Sequence, residues 1–380
     1  MIRLNDAFDI YIDANIVLVL TAAVWILTRA ALRATPLRAA FALQLRLAYT
    51  LLAAMALVPL SVFALELARN GGLLDKSAVL NLSDIAVAQF LDGRIAMSPV
   101  AFEDMLNWRA RFTQAIVTPT GAIGLVIAVS LMLGSALALV CSLRSLIRVH
   151  GLIGRSYLWR RIGSVDLRLT DEIHVPFSTR GVQRHYVVLP SAMLAREGDL
   201  RIAVAHELQH ARQGDLGWAL AIEGLRALFF WNPAYHFWRR EVERLRELAC
   251  DQQVLARRHF SVKAYCDCLI RACRNSLRDD RRRQIGVPVV SLVPLRAARA
   301  GCRASVVLRG RILSMLHARP LARIGRGTNA AIIGMVVASL LMLSAATQRS
   351  GDWSHDRLML STIVNLERLA QHNAPARLVW

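Results

Sequence analysis

Four long apolar runs constrain this chain more than any other feature. They are "ANIVLVLTAAVWILT" at 14–28, "LAYTLLAAMALVPLSVFALEL" at 47–67, "VTPTGAIGLVIAVSLMLGSALALVCS" at 117–142 and "NAAIIGMVVASLLMLSAAT" at 329–347. A membrane crossing takes about 20 mostly apolar residues, so the second, third and fourth runs are long enough. The first is shorter, lying between Asp13 and Arg29, and spans by letting both end groups snorkel. It does not read as a cleaved leader, because Arg3 is outnumbered ahead of it by Asp6, Asp9 and Asp13. A chain of 380 residues that is 55% hydrophobic and still carries a net charge of +20 must segregate its apolar residues into such spans.

Charge sets the expected orientation. The N-terminal tail sums to −2, the first loop (29–46) to +4, the second loop (68–116) to 0, the segment 143–328 to +18 and the tail after 347 to +1. Short positive loops stay on the cytoplasmic side, whereas long ones are weaker evidence, so the first loop decides. Both termini and loop 68–116 are expected outside, and segment 143–328 inside. The organisation that follows is an N-terminal membrane region of three spans (1–142), a cytosolic segment (143–328), a fourth span (329–347) and a short extracytoplasmic tail (348–380).

Nearly all the basic residues are arginine, with Lys76 and Lys263 the two lysines. They are scattered beside the spans without a nucleic-acid-binding motif, so direct nucleic-acid binding is not expected. Attraction to anionic inner-membrane lipids accounts for them. Six cysteines lie at 141, 250, 266, 268, 273 and 302. Five fall in the segment expected in the reducing cytosol. Their spacing, "CDC" followed by Cys273, fits no common zinc pattern and reads as small buried thiols on a helix.

Segment 143–328 opens with a helical continuation of the third run, "LRSLIRVHGLIG". Two β-rich stretches follow, "SVDLRLTDEIHVPFS" and "RHYVVLPSAM", with "STRG" between them read as a turn. Beyond Pro190 the pattern is helical: "REGDLRIAVAHELQHARQGD" has Asp199 as its candidate N-cap and stops at Gly214. His206 and His210, at i and i+4, project from one helical face and can converge on one ion. Glu207 lies beside that face, where a carboxylate can take a proton from a water on the ion. A string of this kind arises by chance in about 1% of shuffled chains or fewer, so it needs a third ligand to carry weight.

Candidates for that ligand lie further on. "WNP" ends a strongly apolar helix, since the residue before Pro233 is pushed out of the α region. A second helix would then return antiparallel to the histidines. On it, Glu243, Glu247 and Asp251 recur every four residues and share a face. Either glutamate suits as an oxygen ligand, the other joining Asp251 in orienting a histidine. A solvated face paired with Arg240 and Arg244 is the plain alternative, and spacing does not choose between the glutamates.

"HELQHARQGD", then "FFWNPAYHFW", then "ERLRELACD" resemble, in that order and at similar intervals, the BlaR/MecR-type integral-membrane zinc metallopeptidases. "HVPFSTRGVQRHYVVLPSAM" upstream and "LRGRILSMLHARP" (308–320) downstream are also similar, so the resemblance runs from about 174 to 320. It implies a mainly α membrane protein: four transmembrane helices, with a cytosolic α+β zincin-like metallopeptidase domain inserted between helices 3 and 4. It makes His206 and His210 ligands of a Zn2+ ion and Glu207 the general base. In the wider group with an ExxxD element the glutamate is the third ligand, here Glu247, and the aspartate orients from outside it, here Asp251. The best-known members carry a penicillin-binding sensor after the last span. The residues after 347 contain no Ser-x-x-Lys and at most one short amphipathic helix, "STIVNLERLAQ", so direct β-lactam sensing by this chain is not expected.

The function these readings imply is a regulatory zinc endopeptidase of a bacterial-type inner membrane. It would hydrolyse a cytosolic or membrane-proximal protein, a transcriptional repressor among the candidate partners. His236, Tyr235 and Arg244 are candidate donors to the oxyanion, and substrate is expected to add as a strand to the edge of the "RHYVVLP" sheet. The alternative is a non-catalytic transmembrane signalling or scaffold protein with a structural zinc site.

Overall fold

A computed structural model of the protein describes residues 4–70, 87, 89–106, 114, 122–181, 183–257, 259–278, 290–291, 301–316, 326–346 and 359–367. Its contacts divide it into two compact units. One comprises Ala22–Thr50 and Met132–Ile333, the other Met1–Thr21, Leu51–Leu131 and Gly334–Trp380. The architecture is mainly helical with one small sheet.

The apolar runs are helical. Helices α1 (Leu4–Arg33) and α2 (Phe41–Asn70) contain the first two, and α3 (Ala122–Arg155) and α9 (Arg326–Ala346) contain the described parts of the third and fourth, 122–142 and 329–346. Among the described residues, Ile10–Arg33 and Ala122–Arg155 are long and apolar enough to cross a membrane. The first is therefore longer than its apolar run, because the helix continues past Arg29 to Arg33. Arg29 does not serve only as an end group: its guanidinium lies 2.8 Å from the Glu241 carboxylate.

α3 runs without a break into the next segment, as the sequence predicts. It is followed by β1 (Tyr157–Ile162), β2 (Val165–Thr170), β3 (Phe177–Arg180) and β4 (His185–Pro190), and later by β5 (Val290–Ser291). The five strands lie in the order β1-β2-β4-β3-β5, with β2 and β4 parallel and the other pairs antiparallel. "STRG" is thus mostly strand: Ser178, Thr179 and Arg180 belong to β3, which ends before Gly181. The strand of "RHYVVLP", β4, is interior to the sheet, and the edges of that sheet among the described residues are β1 and β5.

Successive side chains of a strand face opposite ways. Val187 and Leu189 of β4 join Val165 and Leu167 of β2 against Leu200 and Ala203 of α4 (Glu197–Gln213). Val188, on the other face, packs with Val149, Leu152 and Ile153 from the last turns of α3. Helices therefore cover both faces of the central strands, each such side chain contributing about 1.5–3 kcal/mol of burial.

α4 ends at Gly214, which takes φ 74° in the left-handed region that glycine adopts without a Cβ penalty. Asp199 does not cap this helix. It sits in the first turn with its carboxylate on the Arg271 guanidinium, Nε to Oδ2 2.9 Å, and Arg196 is the capping residue. α5 (Asp215–Phe229) and α6 (Pro233–Ala256) are separated where Asn232 and Pro233 predict a break. The Asn232 side chain accepts from the Ala234 N–H at 2.9 Å, and Pro233 occupies the first turn, where its missing N–H costs nothing. Tyr235 donates to the Ile222 carbonyl at 2.9 Å and Arg239 reaches Glu223 at 2.9 Å, folding α6 back along α5.

α5 packs on α3 through small residues of the latter. Ser135 donates to the Ala227 carbonyl and Ser142 to Glu223, both at 2.8 Å. A Cβ on Gly134 would lie 2.3 Å from the Phe230 ring, a close approach that glycine permits between helices. Gly134→Leu is expected to force Phe230 aside and cost about 1–3 kcal/mol, as overpacking does. Thermal unfolding in detergent measures it, with Gly154→Ala, which meets nothing within 4 Å, as the unchanged control.

α7 (Val262–Arg278) and α8 (Gly301–Leu316) complete this unit. Cys250, Cys268 and Cys273 are buried there with Tyr265, Leu269 and Met315, and Cys266 packs at the margin, as expected of small buried thiols. Cys302 lies outside the described side chains. In the other unit, Phe90 and Phe102 stack with centroids 4.2 Å apart. The helical residues 359–367 turn Leu360 and Val364, one helical turn apart, into that cluster. Of the tail stretch read as a short amphipathic helix, the described residues 361–367 are helical.

Candidate metal centre

The histidines come together because α4 is regular through them. The Nε2 atoms of His206 and His210 lie 3.1 Å apart, and both side chains are fully buried. Glu247, on α6, faces them: Oε2 is 3.5 Å from His206 Nε2, and Oε1 is 3.8 Å from His210 Nε2. Glu243, one turn earlier, is not at the histidines; it pairs with Arg239, Nε to Oε1 3.2 Å. Glu207 is buried beside His206 on the same helix.

Each histidine is held from behind. His210 Nδ1 lies 2.8 Å from Asp215 Oδ2, and Asp215 Oδ1 accepts from the Tyr49 hydroxyl at 3.1 Å. His206 Nδ1 lies 2.7 Å from the Tyr265 hydroxyl, which donates to Asp251 Oδ1 at 2.8 Å. Asp251 itself is 3.6 Å from His206 Nδ1, beyond hydrogen-bond range, so it reaches the imidazole through Tyr265. Arg311, from α8, grips Asp251 with Nε to Oδ2 at 2.7 Å and Nη2 to Oδ1 at 2.6 Å. Its remaining nitrogen, Nη1, lies 3.1 Å from Glu247 Oε2.

These bonds assign the protons. The Tyr265 hydroxyl spends its hydrogen on Asp251, so it accepts from His206 Nδ1–H; the Asp215 carboxylate likewise accepts from His210 Nδ1–H. Both Nε2 atoms then present lone pairs to each other and to a carboxylate. Acceptors that face one point have no hydrogen to share with one another, and a cation between them would resolve the repulsion. A tetrahedral ion that binds nitrogen at about 2.0–2.1 Å sets two such nitrogens about 3.3 Å apart, close to the spacing here. The donor set of two imidazoles and one carboxylate is one that zinc accepts.

The electrostatics agree. Burial holds His210 well below the usual imidazole range, so it stays a neutral ligand. Burial alone would raise Glu247, but the Arg311 guanidinium and the two histidines outweigh it and hold the carboxyl below its ordinary range. The same burial is outweighed for Asp251 by the charge and hydrogen bonds of Arg311. Asp215 is pushed up to about 7 by burial, against the lowering pull of Arg246.

Cys250 also lies within reach of the pair, and His206, His210 and Cys250 form a group able to hold a metal. Its Sγ is 3.4 Å from His206 Nδ1, the nitrogen that faces Tyr265, and 3.4 Å from the His206 carbonyl. Burial, with Asp251 and Glu247 nearby, pushes its thiol well up. Glu247 is on the Nε2 side and charged.

The three residues expected to receive an oxyanion are committed elsewhere. His236 Nε2 lies 2.7 Å from the Phe230 carbonyl, Tyr235 donates to Ile222, and Arg244 chelates Glu241 at 2.8 and 3.1 Å. Conversely, Asp215, Tyr265, Arg311 and Tyr49 take part without having been singled out from the sequence. The visible signals were an aspartate directly after the helix-ending Gly214, and an arginine inside the otherwise apolar "RILSML".

A buried HExxH helix, a glutamate from a second helix and flanking apolar helices define a membrane-associated metallopeptidase. The chain belongs to the BlaR1 peptidase M56 family, whose model matches residues 9–282. No curated protein matches it.

Proposed function

We propose that this protein is an integral-membrane zinc endopeptidase with four spans and its catalytic segment in the cytosol. The observation that carries the reading is the convergence of His206 Nε2, His210 Nε2 and Glu247 on one point, each histidine fixed from behind. These three would hold the ion, leaving one coordination position for water or substrate. Zinc, when bound there, supplies a Lewis acid that polarises a peptide carbonyl and makes water a nucleophile near neutral pH. Glu207 takes the proton of the attacking water on its carboxylate and returns it to the departing amide nitrogen. Asp215 and the Tyr265–Asp251 pair keep Nδ1 protonated, which fixes each ring's tautomer and direction.

The substrate is a cytosolic or membrane-proximal protein, with a transcriptional repressor as the candidate that suits a regulatory role. The localisation is a bacterial-type inner membrane, with the basic segments 29–46 and 143–328 against the anionic cytosolic leaflet. Reporter fusions are expected to place residues near 35 and 250 inside and residues near 90 and 370 outside. An externally accessible residue 250 removes the cytosolic protease. The chemistry itself is tested by zinc content and cleavage of a co-expressed cytosolic partner, compared between wild type, His206→Ala and Glu207→Gln.

A further inference from the structure

α2 is an apolar helix with little reason to carry a phenol. A hydroxyl in such a run is a cost unless it finds a partner. The neighbouring Thr50 returns its own hydroxyl to the Arg46 carbonyl at 2.8 Å, within the helix. Tyr49 does otherwise. Its ring stacks on Trp218 of α5, centroids 4.6 Å apart and planes within 5°, and its hydroxyl leaves α2 to donate to Asp215. Asp215 is fully buried at the first position of α5, and its second oxygen holds His210.

We propose that Tyr49 is a positioning residue for His210, acting through Asp215, so that the second apolar helix helps set the metal centre. The inference rests on the peptidase reading, since it presumes that His210 ligates zinc. Two donors on opposite oxygens, Tyr49 O–H and His210 Nδ1–H, fix the plane of the Asp215 carboxylate. With one of them gone, the carboxylate can turn about its own side-chain bond, and the imidazole loses its fixed direction. The Trp218 stack holds the Tyr49 ring in place, so the hydroxyl is delivered to one spot.

The link also runs in the other direction. A hydrogen bond at 3.1 Å weakens steeply as its partners separate or its angle closes, so a rotation or slide of α2 reaches His210 without passing through the sheet or α6. His206 is tied by a separate chain, through Tyr265 and Asp251 to Arg311 on α8. The two ligands are thus wired to different helices, and α2 acts on His210.

The experiment uses full-length protein in detergent. Zinc affinity is measured by chelator competition, the visible absorption of the cobalt-substituted protein is recorded, and unfolding is followed with and without metal. Tyr49→Phe keeps the stacked ring and deletes the hydroxyl. It is expected to weaken zinc about 10-fold or more, as loss of an outer partner does, and to alter the cobalt bands. Metal-free unfolding should fall by less than metal-bound unfolding, since it loses the buried hydrogen bond alone. Asp215→Asn should weaken zinc further, and Tyr49→Phe/Asp215→Asn should be no weaker than Asp215→Asn alone, because the two act in one chain. Wild-type affinity and bands in Tyr49→Phe overturn the proposal, as do fully additive effects. An equal fall in metal-free and metal-bound unfolding overturns it too, because that marks packing alone. A wild type that binds no zinc, or a His206→Ala variant that keeps it, overturns the peptidase reading itself.

Discussion

Glu207→Gln is expected to keep its zinc and lose proteolysis by about 10²–10⁴-fold, the usual cost of removing a general base. The amide has nearly the shape of the carboxylate, and Glu207 is buried next to His206, so the fold has no cause to change. What the amide lacks is a lone pair basic enough to take a proton from water. His206→Ala should lose proteolysis equally but lose zinc as well, because one of three ligands is gone. Cleavage of a co-expressed cytosolic partner and metal analysis of the purified variants separate the two. Full cleavage in Glu207→Gln would remove Glu207 as the general base, and no cleavage by the wild type would leave the protein a zinc-stabilised membrane signalling protein.

The second large effect concerns the glutamates of α6. Glu247→Ala should leave the purified protein without zinc after dialysis against a chelator, whereas Glu243→Ala should retain about one ion per chain. Glu247 faces both Nε2 atoms, and its removal also takes away the carboxylate 3.1 Å from Arg311 Nη1 in the core. Breaking a buried pair from one side is expensive. Glu243 gives up its pairing with Arg239, which keeps Glu223 at 2.9 Å. Asp251→Asn should fall between them, weakening zinc about 10–100-fold through a loosened Tyr265. Zinc lost from Glu243→Ala but kept in Glu247→Ala would reverse the assignment.

Much of the local structure was legible because short-range chemistry dictates it. Gly214 ends one helix and Asn232–Pro233 starts another for reasons contained within four residues. The i, i+4 spacing brought His206 and His210 together without help from the rest of the fold. Choosing between Glu243 and Glu247 needed more, since both lie on one face and only the packing of α6 on α4 decides which turn meets the histidines. The partners behind the ligands were out of reach for the same reason. Tyr49 and Arg311 come from helices far along the chain on either side, and no periodicity links them to the motif. β1 escaped because all six of "YLWRRI" are exposed, so it lacks the alternation that marks a half-buried strand. The place of β4 inside the sheet follows from a crossover that puts β2 beside it in parallel, which strand propensity does not encode.

The wiring around the histidines also fixes an electroneutrality condition. Glu207, Asp215, Glu247 and Asp251 are buried acids, and Arg246 and Arg311 are the buried cations that face them. With all of them ionised the cluster falls two positive charges short of balance. A dication closes that gap, and a monovalent ion leaves half of it open. In a medium that screens poorly, this residue count favours divalent ions before any preference for nitrogen or oxygen comes into play. Removing a dication held there would leave this excess of buried acids uncompensated, so a chelator is expected to weaken the fold as well as the chemistry.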